Sequence, residues 1–168
     1  MNRVTLAFAL AFAASISPQL AAAQHTPVAT ALLAPVRAWA NAFSGHQLAF
    51  PSNVFTDDCI VIDNFPPFLW GTRSNGIRQW YADVEGVGSP QKRRAVLKSK
   101  ETIEIGLPVV IVFQKGAAYM TFSARWRGYA QNGAYFSQTA VFTVVERRTA
   151  AGWRIQAHSW GELANLPE

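Results

Sequence analysis

Apolar residues recur at three- and four-residue spacing across residues 28–43, where Leu32, Val36, Trp39, Ala40 and Phe43 fall on one side, and this spacing predicts an amphipathic helix. Pro35 stands inside the run and removes an i to i−4 hydrogen bond, so the helix either kinks or begins there, and Gly45 ends it. A helical turn over 52–57 and a strand over 59–63 are expected next, with Pro66-Pro67 stopping the strand. Residues 74–84 carry a second amphipathic pattern: Ser74 caps it, and Ile77, Trp80, Tyr81 and Val84 share a side.

After Gln91 the chain reads as extended. Turn signals at Gly106-Leu107-Pro108, Lys115-Gly116, Asn132-Gly133 and Ala151-Gly152 divide the remainder into five segments, and consecutive tight turns imply an antiparallel meander. A two-residue turn at Asn132-Gly133 would put Met120, Phe122, Ala124 and Trp126 on one face with Thr139, Val141, Thr143 and Val145; a three-residue loop would change these pairings. In the last strand, Trp153 and Ile155 read as the core side, which turns His158 outward unless a bulge re-aims it. Helices first and a curved, mostly antiparallel sheet of about six strands afterwards make an α+β fold.

The N-terminus has the three parts of a secretory signal: Arg3, an apolar run over 4–16, and small residues at Ala21-Ala22-Ala23. Residues 1–23 are therefore expected to be removed, leaving 24–168 as a single domain, exported to the periplasm or beyond. No later stretch is long and apolar enough to span a bilayer as a helix, so no membrane insertion is expected after signal removal. The formal net charge of +5 is spread along the chain apart from Lys92-Arg93-Arg94 and Arg147-Arg148, which read as solvated charge rather than a nucleic-acid groove.

Candidate chemistry is sparse. Cys59, the single cysteine, sits in an apolar run and reads as a small buried hydrophobe. His25, His46 and His158 show no metal-ligand spacing, no phosphate-cradling glycine pattern occurs, and no serine has a nucleophile-elbow context, so no metal and no cofactor are expected. Asp63 ends a strand before a proline-aromatic loop, where it either caps the turn or faces a pocket. Six tryptophans and eleven phenylalanines exceed what a small core requires, and they fit an aromatic-lined cavity between helices and sheet as well as ordinary packing.

Three segments carry a resemblance: AWANAFSGHQ at 38–47, VFTDDCIVIDNFPPFLWGTRSNGIRQWYADV at 54–84, and GWRIQAHSWGELANL at 152–166. Together they resemble the nuclear transport factor 2-like superfamily, especially its SnoaL-like and ketosteroid-isomerase-like members. The resemblance implies a cone-shaped fold whose members include isomerases, cyclases, dehydratases, epoxide hydrolases and non-catalytic binders. It places Asp63 where isomerase-like members hold a base that removes a proton beside a carbonyl; if the chain is an enzyme, Trp39 or Tyr81 is expected as hydrogen-bond donor and His158 as a weaker helper. The implied ligand pocket is Trp39, Phe65, Phe68, Trp70, Trp80, Tyr81 and Trp126, taking a small hydrophobic or carbonyl-containing molecule. The chain departs from the isomerases in two places: Trp39 replaces their tyrosine, and residues 134–145 contain no acid. Without both donors an enolate loses about 3 to 4 kcal/mol or more, so steroid isomerisation by that mechanism is not expected. A homodimer or a protein partner on the open sheet face is the alternative use implied.

Overall fold

The strands from residue 100 onward pair with their neighbours in sequence, and the first half of the chain adds two shorter strands to that sheet and two helices that roof it. The computed structural model describes residues 27–45, 53–71, 76–84, 100–129 and 132–163. The expected signal segment, Ser74, His25 and His46 lie outside them.

Helix α1, Pro27–Ser44, continues through Pro35, so the proline is interior rather than a start. Strand β1, Phe55–Ile62, begins at Phe55 rather than at Cys59, and the helical turn expected over 52–57 is only a turn at Asn53-Val54. The reason is tertiary: Phe55 pairs in parallel with Ile155, and the Ile155 N–H donates to the Val54 carbonyl at 2.8 Å. A short β2, Leu69–Trp70, doubles back on β1, and α2, Gly76–Val84, follows.

Four long strands complete the sheet: β3, Lys100–Gln114; β4, Ala117–Tyr129; β5, Tyr135–Thr149; and β6, Gly152–Glu162. Their order is β2-β1-β6-β5-β4-β3, all antiparallel except the β1–β6 pair. The expected turn at Gly106–Pro108 is instead a break in register within one strand: Ile105 pairs with Ala124 and Pro108 with Phe122. Proline cannot donate to a ladder, so the strand bulges past it instead of reversing.

The β4–β5 register corrects the face assignment made from a two-residue turn. Tyr129 pairs with Tyr135, which sets Met120 opposite Val144, Phe122 opposite Phe142, Ala124 opposite Ala140 and Trp126 opposite Gln138. A shift of one residue exchanges faces. The buried face is therefore Met120, Phe122 and Ala124 with Ala140, Phe142 and Val144, while Thr139, Val141, Thr143 and Val145 face outward.

Helix α1 lies on the buried face, with Trp39 stacked on Phe142 at 4.5 Å and an interplanar angle of 7°. Helix α2 packs on β1 and β2. Its close approach depends on two glycines: Gly71 has φ of 104°, and a Cβ on Gly76 would lie 2.5 Å from Gly71 backbone atoms. The outer sheet face exposes Ile60, Ile62, Val110, Val112 and Tyr119.

Candidate functional site

Asp63 points inward because it continues the alternation of β1. Cys59 and Val61 are buried while Ile60 and Ile62 are exposed, and Asp63 takes the next inward position one residue past the strand. The Phe68 carbonyl accepts from the Asp63 N–H at 3.2 Å, and the Phe68 N–H closes a turn onto the Phe65 carbonyl at 2.8 Å. Both Asp63 oxygens have a donor: Trp80 Nε1 at 2.8 Å to Oδ2 and the Asn64 N–H at 2.7 Å to Oδ1. Thus the turn-capping and pocket-facing roles coexist in one side chain. Burial raises the Asp63 pKa above the ordinary carboxylate range, and the two donors pull it partway back.

His158 also faces inward, by the bulge that its strand required. The β5–β6 register passes from Val145 opposite Ala157 to Glu146 opposite Ile155, which leaves Gln156 extra and places Ile155 and His158 on the same buried side. The imidazole is 3% exposed and stands among Trp39 at 5.4 Å, Trp80 at 5.5 Å, Phe142 at 5.5 Å and Phe55 at 6.1 Å between ring centroids. Neither ring nitrogen has a hydrogen-bond partner among the described residues. Burial lowers its pKa to about 3, so the ring is neutral at physiological pH.

Asp63 and His158 line one cavity of about 60 Å³, together with Trp39, Trp80, Trp126, Trp160 and flanking apolar residues. Three of the four indoles donate their N–H to an acceptor: Trp80 to Asp63, Trp126 to Glu101 Oε2 at 3.0 Å, and Trp160 to Gln138 Oε1 at 2.9 Å. Trp39 Nε1 is buried without a partner among the described residues. No lysine or arginine stands among the described lining residues.

The remaining expected pocket residues divide. Phe65 lines the cavity; Phe68, Trp70 and Tyr81 do not. Phe68 is exposed at the tip of its turn with φ of 69°. Trp70 is buried against Phe65, and its indole donates to Asp83 Oδ2 at 2.9 Å. Tyr81 is buried beside Trp80. Phe43, Asn64, Val84, Ile103 and Trp160 are lining residues that sequence reading did not assign. Phe43 and Val84 could have been found from their helix faces, one turn from Trp39 and Trp80, whereas Trp160 needed the β6 bulge. Cys59 is fully buried with its pKa pushed up to about 12, in keeping with a packing role. Among the described residues no three histidine, cysteine or acidic side chains cluster to hold a metal.

A curved sheet roofed by two helices, with an aromatic cavity between the layers and an acid, Asp63, in its wall, defines the class: a cone-shaped α+β domain with an internal pocket. The chain has the nuclear transport factor 2-like fold. A nuclear transport factor 2-like superfamily protein from Salmonella enterica Typhimurium superposes with a TM-score of 0.60 at 16% identity, covering 80% of this chain and 91% of that one. A ketosteroid isomerase-like protein from Erwinia carotovora atroseptica gives 0.58 at 14% identity, covering 80% and 95%. An NTF2-like protein with a cystatin-like fold from Novosphingobium aromaticivorans gives 0.58 at 13% identity, covering 79% and 80%. No protein-family model matches the sequence, and comparison with curated proteins gives no match.

Proposed function

We propose that this chain, after export, binds a small organic molecule that enters the aromatic cavity and meets Asp63 as its polar anchor. The observation that carries the reading is a carboxyl only 8% exposed, held by two donors, at the wall of a cavity built mainly from aromatic rings. Such a combination of apolar walls and one fixed polar group is how small-molecule sites orient a ligand. With a cavity of about 60 Å³, the enclosed end accepts only a group of a few heavy atoms. A dry cavity that admits benzene has about 150 Å³. A steroid skeleton does not fit inside, and any larger part of the ligand extends through the mouth.

A panel of small carbonyl, amine and hydrocarbon compounds, read by thermal shift, tests this. Compounds that raise Tm in the native protein should lose the effect in Val84→Phe, which fills the cavity wall. A panel that raises nothing, or shifts that survive the filled cavity, would remove the pocket from function.

Proton transfer is a second reading, favoured by the raised pKa of Asp63 and by the unpartnered Trp39 Nε1 and His158 nitrogens in the same wall. In it Asp63 takes a proton beside a carbonyl while Trp39 or His158 donates to the oxygen. Turnover of any screened carbonyl substrate should then vanish in Asp63→Asn; undiminished turnover eliminates Asp63 as the base. The exposed apolar residues of the outer sheet face support association with a second copy or a partner protein, which sedimentation of the native protein and of Ile62→Lys would reveal as a change in mass.

A further inference from the structure

Most of the described cavity wall is electron-rich, with Asn64, Val84 and Ile103 completing it. It contains one carboxyl, four indoles, two phenyl rings and an imidazole that burial keeps neutral, and no cationic side chain. Cations are drawn to the faces of aromatic rings, tryptophan most strongly, and the attraction grows when water is excluded. From this wall we infer that the pocket of the proposed function holds a small methylated ammonium group, with Asp63 as its counter-charge.

Three features of the site carry the inference. The first is the hydrogen bonding of the indoles. Trp80 and Trp126 donate their N–H to carboxylates, Asp63 and Glu101, which pushes electron density onto the rings and leaves their N–H groups unavailable to a ligand acceptor. Rings so polarised offer their faces. Trp39 stacks one face on Phe142, at 4.5 Å and 7°, and also lines the cavity.

The second is charge balance. An ionised Asp63 in this wall has two hydrogen-bond donors but no positive partner among the described lining residues, and a buried carboxylate in that condition is costly. An anionic ligand would deepen the imbalance, and a neutral one would leave it. A cation removes it. The third is position: the carboxyl and the four indoles line the same cavity, so a methylated nitrogen seated at its mouth meets the counter-charge and the rings together. The apolar methyl surface also suits a wall that has few free acceptors, because a quaternary nitrogen requires no hydrogen bond.

The occupant is thus a free small ion of the tetramethylammonium or choline type, with any substituent passing out of the mouth. If Asp63 serves as counter-charge, a bound cation lowers its pKa and weakens it as a base, so the inference stands against the proton-transfer reading while resting on the ligand-binding one.

The test is calorimetric titration of the folded full domain with tetramethylammonium, choline, and the choline analogue in which carbon replaces the quaternary nitrogen. Choline should bind at least about tenfold more tightly than its neutral analogue, and Asp63→Asn should abolish most of that difference. Equal affinity for choline and its analogue would overturn the cation inference while leaving pocket binding intact. So would failure of both ions while compounds from the thermal-shift panel bind. Because the choline-to-analogue ratio is measured on the native protein, it decides the matter even if Asp63→Asn fails to fold. Phosphocholine, whose phosphate must remain outside the mouth, distinguishes a free ion from a headgroup: weaker binding than choline is expected, and preference for phosphocholine would overturn the free-ion assignment.

Discussion

Two titratable side chains on neighbouring strands share the same predicament and differ in what surrounds them. His158 on β6 and Glu146 on β5 are both buried, and neither has a hydrogen-bond partner among the described residues. Desolvation lowers the histidine pKa to about 3 and raises the glutamate pKa to about 8, so the same physics leaves both neutral near pH 7. His158 borders a cavity walled with aromatic rings, whereas Glu146 has Ala118 and Ile155 as cross-strand neighbours and lines no part of that cavity. A perturbed pKa therefore marks burial first; space beside the group is what converts burial into a candidate site.

The largest expected effect follows from that contrast. Glu146 holds its proton in the folded state up to about pH 8 but releases it near 4.5 when unfolded, so its contribution to stability is full below 4.5 and declines as pH rises toward 8. His158 does the reverse: its contribution is present above 6.5 and declines as pH falls toward 3. Each can amount to about 5 kcal/mol at most, at about 1.4 kcal/mol for each tenfold change in proton affinity. Between 4.5 and 6.5 the two trends cancel, giving a plateau. Chemical denaturation across pH should show Glu146→Gln removing the alkaline decline and His158→Gln the acid decline; a profile that neither substitution alters would refute both assignments.

A smaller effect separates Asp63 from Glu146, since among the described residues only Asp63 has donors. Trp80→Phe keeps most of the ring but strips Oδ2 of its partner, at a cost of about 2 kcal/mol, and the Asp63 pKa should rise further by NMR titration. Smallest is Trp126→Phe, where a half-buried indole loses its bond to Glu101; melting should report about 1 kcal/mol. If Trp126→Phe costs more than Trp80→Phe, the pocket is held from the sheet rather than from α2.

Much of this architecture was legible in the sequence because local pattern and tertiary context agree there. The helix periodicities and the acid at the end of β1 are of that kind. The two errors of face assignment share one physical cause, which is that facing depends on single residues outside the pattern. The β4–β5 register turns on one residue of loop length between Tyr129 and Tyr135, and the orientation of His158 turns on the extra Gln156. Glu146 precedes Arg147 and Arg148 and looks like solvated charge. Its inward parity with Phe142 and Val144 was the available signal.

The parallel pairing of β1 with β6 also imposes an order of events. Asp63 and Trp80 come early in the chain, while His158, Trp160 and the partner that completes β1 come last. Until β6 emerges, β1 has β2 on one side and unsatisfied peptide groups on the other, a sticky edge beside bare aromatic surface. A chain cut short before Gly152 would thus lack more than its final strand: it would present the interior of the cone to any neighbouring chain, and aggregation rather than partial binding is the expected fate.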